Sequence, residues 1–146
     1  MAMLTLTLVT PERVVESLQA RSVLVSTLDG EIAILPGHVP LVSILQPGAV
    51  VVELEHGQKH IAVSGGFVDV SEGSRVTLLA TTADRAEEID EAAVERAMQD
   101  AKALLSIKGV DEEQLARAAT ALDRELAKTK TLRRWKTSSR YGGVFA

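Results

Sequence analysis

The chain has 146 residues, 46% hydrophobic, 25% charged and 3% aromatic, with no cysteine and a formal net charge of −4. That composition places it among globular chains of one domain or two small ones, where about 68–70% of the unfolded surface can be buried. Without cysteine there is no disulfide framework, no thiolate metal site and no thiol enzyme. No apolar run reaches the roughly 18–20 residues of a membrane helix. The opening Met-Ala-Met-Leu-Thr-Leu-Thr-Leu alternates apolar and polar residues without a basic leader. It reads as a strand rather than a signal peptide, in a soluble, intracellular-type chain.

Residues 1–83 carry turn signals every 7 to 11 residues, at Asp29-Gly30, Pro36-Gly37, Pro47-Gly48, His56-Gly57, Gly65-Gly66 and Glu72-Gly73. Between them lie β-branched and aliphatic stretches that predict strands at Leu4–Val9, Val23–Thr27, Val50–Leu54, Ile61–Val63, Phe67–Val70 and Val76–Ala80. Short strands at that spacing, punctuated by glycine, indicate a sandwich or barrel of antiparallel strands. In Val50-Val51-Val52-Glu53-Leu54-Glu55 the even positions are apolar and the two glutamates face the other way, which predicts one buried face. Phe67 is the only aromatic of this half, so its core is aliphatic.

After Thr82 the period changes. Ile89, Ala93, Ala97, Ala101, Leu104 and Leu105 follow three- and four-residue spacing, which predicts an amphipathic helix over about 88–107. Lys108-Gly109 stops it, and Asp111 caps a second helix by accepting the amide of Gln114. The stripe of that helix is Leu115, Ala118, Ala119, Leu122, Leu126 and Leu132, running to about Trp135, and a short glycine turn makes the two an antiparallel hairpin. The first stripe is rich in alanine and the second thins out after Leu126, so the last turns are expected to be the least anchored.

No constellation for catalysis stands out. There is no P-loop and no Gly-x-Ser-x-Gly elbow; Ser64-Gly65-Gly66 reads as a turn. His38, His56 and His60 lack metal-ligand spacing and are expected at the surface. The segment from Gly30 to Leu41 sets two prolines around Gly37-His38, which predicts a stiff loop that projects His38, either as a contact for a partner or as a plain long hairpin loop.

Charge is distributed unevenly. From Arg124 onward seven cations stand against Glu125, a net +6, so the first 123 residues carry −10. Trp135, Tyr141 and Phe145 lie in the same stretch. Such an end is a solvated tail or a segment that docks on an acidic partner. A reading from another class is a nucleic-acid binder that stacks bases on Trp135 and Tyr141; the −10 elsewhere argues against it by repelling phosphate.

Gly30-Glu31-Ile32-Ala33-Ile34-Leu35-Pro36-Gly37-His38-Val39-Pro40-Leu41, then Gln46-Pro47-Gly48, then Ser64-Gly65-Gly66-Phe67-Val68-Asp69-Val70, together resemble the epsilon subunit of bacterial and chloroplast F-type ATP synthase, the equivalent of mitochondrial delta. The resemblance covers about residues 2–135. It implies an α+β fold, a ten-stranded antiparallel β-sandwich (1–84) followed by a two-helix hairpin (88–136), which leaves 137–146 as a flexible tail. It also implies a non-catalytic rotor subunit that couples proton flow to ATP synthesis, peripheral on the cytoplasmic face of the bacterial inner membrane through its complex.

The implied partners are the gamma subunit and the polar loops of the c-ring, met by Glu31, Pro36, Gly37 and His38. In bacterial members the helices switch between a compact form and an extended form that inhibits ATP hydrolysis. The corresponding cations here, facing an acidic segment of the beta subunit, are Arg124, Lys128, Lys130, Arg133, Arg134 and Lys136. Some members bind ATP through Ile/Leu-Asp-x-x-Arg-Ala. Ile89 and Asp90 match that pattern, but Ala93 and Val94 replace its last two residues. With the guanidinium gone a main phosphate donor is missing, and Arg96, one turn on, is its nearest substitute. No cofactor, metal or nucleic-acid partner is implied.

Overall fold

The structure is a computed structural model that describes residues 2–141, with side chains as far as Ser138. Ten strands come first: β1 (Leu4–Val9), β2 (Val14–Ala20), β3 (Ser22–Thr27), β4 (Gly30–Ile34), β5 (Leu41–Leu45), β6 (Gly48–Glu53), β7 (Gln58–Val63), β8 (Gly66–Ser71), β9 (Arg75–Ala80) and β10 (Ala83–Arg85). A 3₁₀ turn at Ala86–Glu88 leads to two helices, α1 (Glu91–Ser106) and α2 (Glu112–Tyr141). The sheet runs β10-β7-β6-β3-β5-β8-β9-β1-β2, with β4 beside β3. Every ladder is antiparallel except β1 with β9, which is parallel and sets Leu6 beside Val76 and Leu8 beside Leu78.

Folded over as a sandwich, the sheet encloses Leu4, Leu6, Leu8, Val23, Val25, Ile34, Val50, Val52, Ile61, Val68, Val76 and Leu78. The core is aliphatic throughout, as the composition requires; Phe67 is exposed. Fully burying each such side chain contributes about 1.5–3 kcal/mol against chain entropy.

Four strands escape the pattern reading. β4 lies inside the segment expected to be a stiff loop, and pairs Glu31 with Ser26 and Ile34 with Val23. β2 holds a buried glutamate where an apolar residue is expected, β5 alternates against a half-apolar outer face, and β10 has only three residues. β6 also departs from expectation: Gly48 to Val52 are all buried. Val51, which points away from the sandwich core, is covered by α2.

The helix ends follow the cap chemistry. Asp90 accepts the amides of Ala92 and Ala93 at 3.0 and 3.2 Å, and Asp111 accepts that of Gln114 at 2.8 Å. Gly109 takes φ 86° in the turn between the helices. The buried faces differ from the predicted stripes. In α1 they are Val94 and Ala101, while Ala93, Leu104 and Leu105 are exposed. In α2 they are Ala118, Glu125, Ala127, Thr131 and Leu132, with Leu126 outside. The turns after Leu126 are therefore well anchored, because they lie across β6 and β7 as well as against α1. α2 also continues through Tyr141, so the expected tail is helical over its first five positions; 142–146 lie outside the described residues.

Candidate functional site

Glu31 sits near the β3–β4 hairpin, while Pro36, Gly37 and His38 follow the other end of β4. About 3.3 Å per strand residue separates them, so they form two points on one edge rather than one cluster. The second point is a tight turn: the His38 amide donates to Leu35 O at 3.0 Å, with Pro36 and then Gly37 at φ 83° between them. That is a type II turn, which needs a positive φ at its third position. The Gly37 amide donates to Ser74 Oγ at 2.9 Å, which ties the turn to the β8–β9 connection. His38 is half-buried, with Nδ1 2.7 Å from Val39 O. Leu35 and Val39 project to solvent instead.

Four of the six cations assigned to the inhibitory helix are bonded within the chain. Arg124 makes a two-pronged contact with Asp84 of β10 at 3.2 and 3.4 Å. Arg134 Nη2 lies 3.4 Å from Glu31 Oε1, Lys136 pairs with Glu91 of α1, and Lys128 lies 3.4 Å from Glu125 within α2. Lys130 and Arg133 stand over a cleft of about 740 Å³ between α2 and the sheet. On its floor is His60, only 2% exposed. The surface position expected for His60 is thus wrong, because α2 covers that face of β7. Burial, and then the Arg134 charge, push the imidazole pKa below its ordinary value, against weaker attraction from Glu53 and Glu87.

A second surface gives no sequence signal because it breaks the inside-out rule. Ile44, Phe67 and Leu79 are cross-strand neighbours on β5, β8 and β9, and about half of each is exposed. Val42 and Leu28 extend the patch, with the Leu28 amide donating to Ile44 O at 3.1 Å. The inward residues of the same strands, Leu45, Val68 and Leu78, are in the core. A contiguous apolar patch on an outer sheet face marks an interaction site.

Where the chain leaves the sandwich, Glu16 binds Arg85 at 2.6 Å and Lys59 at 3.1 Å. Burial alone would raise its pKa, but those hydrogen bonds and charges hold the carboxyl below the usual value. This clamp joins β2, β7 and β10 and was not foreseen from the sequence.

The remnants of the nucleotide pattern are not brought together. The Asp90 carboxylate is engaged as the cap of α1. Arg96 is exposed six residues on, which at 100° per residue places it a third of a turn away around the helix. The small cleft beside α1 carries Glu91 and Glu95 as well as Arg133 and Lys136, and those carboxylates disfavour phosphate.

Residues 3–86 match the family described as "ATP synthase, Delta/Epsilon chain, beta-sandwich domain". The ATP synthase epsilon chain of Thermobifida fusca is 44% identical over 80% of this chain and 85% of its own. That of Moorella thermoacetica is 40% identical over 89% of this chain and 96% of its own. Among solved structures, a chain in the Euglena gracilis mitochondrial ATP synthase OSCP/F1/c-ring assembly superposes with a TM-score of 0.74 at 27% identity, covering 87% of this chain and 79% of that one. A chain of the Tetrahymena thermophila mitochondrial ATP synthase central stalk and c-ring shares the fold, with a TM-score of 0.57 at 14% identity over 88% and 96% of the two chains. With a ten-stranded sandwich, a helical hairpin and relatives of that identity along most of its length, the chain belongs to the epsilon-chain family of F-type ATP synthase.

Proposed function

We propose that the chain is a non-catalytic central-stalk subunit of the proton-translocating F-type ATP synthase. It binds gamma, meets the polar loops of the c-ring, couples proton flow to ATP synthesis, and restrains ATP hydrolysis through α2. The observation that carries this reading is the exposed apolar patch of Val42, Ile44, Phe67 and Leu79, on strands that α2 does not cover. Its natural occupant is gamma. Glu31 and the Pro36-Gly37-His38 turn supply the contact with the ring, and the complex brings the chain to the cytoplasmic face of the membrane. Among the described residues no helix is long and apolar enough to cross a membrane.

The inhibitory arm is α2. Its cations can leave Asp84, Glu31 and Glu91 for an acidic segment of beta at small cost, since exposed ion pairs are worth about 0–1 kcal/mol each. Several must act together to move a two-state equilibrium. The same engagement with carboxylates in the chain weakens the nucleic-acid reading. Two measurements test the proposal. Phe67→Glu should abolish co-purification with gamma while leaving the thermal midpoint within a few degrees; retained co-purification sinks the gamma assignment. Truncation after Leu122 should raise ATP hydrolysis by the assembled complex, and unchanged hydrolysis removes the inhibitory role.

A further inference from the structure

We propose that His60 is a proton-operated release for the second half of α2. The ring lies in the seam between that helix and β7, 2% exposed, in register with Val51 of β6. Its Nδ1 has no hydrogen-bond partner among the described residues. An imidazole held this way is accommodated as the neutral form: the ring is nearly shut off from water, and Nδ1 has no acceptor waiting for a second proton.

The groups around it decide the sign. From α2, Arg134, itself 3.4 Å from Glu31 Oε1, repels a charged ring, and Lys130 and Arg133 line the same cleft. From β6, Glu53 attracts it, but that carboxylate already accepts Gln58 Nε2 at 2.6 Å. From the 3₁₀ turn, Glu87 attracts it as well. On β10, Asp84 is engaged by Arg124. Burial and the Arg134 charge on the covering helix outweigh the two carboxylates, so a proton on His60 opposes docking.

The linkage follows directly. In the docked state the ring binds a proton less readily than in the undocked state, where it is solvated and titrates near the ordinary value of 6.5. Docking is therefore at full strength above that value and weakens as pH falls through it. The loss levels off below the lower, docked pKa. Each tenfold difference in proton affinity between the states makes docking up to tenfold weaker on the acid side. Acidification then releases α2 from β6 and β7 while the sandwich beneath, held by its own aliphatic core, stays folded. The regulatory meaning of that release, more inhibition at low pH, rests on the proposed role of α2; the release itself does not.

The test uses the full-length chain. In wild type, the His60 ring resonance, assigned by its loss in His60→Gln, should titrate below 6.5. Amide exchange across 124–138, corrected for the intrinsic pH dependence, should accelerate several-fold between about pH 7.5 and 5.5. In His60→Gln that acceleration should vanish, the other titrating groups being common to both chains. A His60 ring that titrates at or above 6.5, or equal acceleration in both chains, overturns the proposal. Should His60→Gln fail to fold, Arg134→Ala decides: removing the repelling charge should move the wild-type ring titration upward, and no movement overturns it. If α2 is released on acidification while hydrolysis by the assembled complex stays constant, the regulatory reading fails and the switch stands.

Discussion

Arg134 Nη2 lies 3.4 Å from Glu31 Oε1, joining residues 103 apart in sequence. The pair links the carboxylate proposed to meet the ring with a cation proposed to meet beta, so two partners and one internal contact draw on the same two charges. Glu31→Lys should weaken ATP-driven proton pumping in mutant membranes. Adding Arg134→Glu restores an ion pair on the sandwich and should not restore pumping. Wild-type pumping in Glu31→Lys removes Glu31 from the ring contact.

Leu132 is 7% exposed and packs where α2 meets α1 near Val94. Leu132→Ala should weaken docking of the hairpin by roughly 2–3 kcal/mol. Hydrogen exchange should report the loss in α2, with β-strand protection unchanged. Loss of protection in both would mean that the helices and the sandwich unfold as one unit.

Gly66 starts β8 with φ 129°, and a Cβ placed there would come 1.8 Å from Leu79 O and 2.9 Å from Ala80 Cα. Both are backbone atoms, so neither can swing aside. Gly66→Ala should cost more than about 3 kcal/mol and lower the urea midpoint sharply. Gly57→Ala shares a positive φ but meets nothing within 4 Å, so it should cost much less.

Glu16 is buried and bonded to Arg85 and Lys59. Its pKa is lowered in the folded chain, so its stabilisation is present above the ordinary value of about 4.5 and is lost as pH falls through and below it. Glu16→Gln should lower stability at pH 7 and flatten the acid limb of the stability–pH curve. An acid limb as steep as wild type would show that other carboxylates control it.

The sequence made the sandwich legible wherever one face of a strand is wet and the other dry, as in β1, β8 and β9. It misled where a second layer covers the outer face. Val51 and His60 are buried by α2, a contact that no local periodicity records, and so His60 passed for a surface residue. The end of α2 reads as weakly anchored because alanine and threonine carry its contact: Ala127 and Thr131, both buried, are small enough for the helix to lie close to the sheet, and neither lies on the stripe that the leucines mark. The Pro36-Gly37 turn was readable from its residues, but the presence of β4 before it was not, because Glu31 and Ala33 face outward and leave only Ile32 and Ile34 to signal a strand. The apolar patch at Ile44, Phe67 and Leu79 looks like ordinary strand sequence until the register shows which side is already full.

The parallel pairing of β1 with β9 has a consequence for how the chain is made. Thr5 finds its neighbour at Arg75, so during synthesis β1 has no place on that side until some seventy further residues have emerged. Closing so long a loop is slow, and until then only the hairpin with β2 occupies one edge of β1. During synthesis Leu4, Leu6 and Leu8 must therefore wait in a half-built layer, and the sandwich becomes watertight only when its ninth strand arrives.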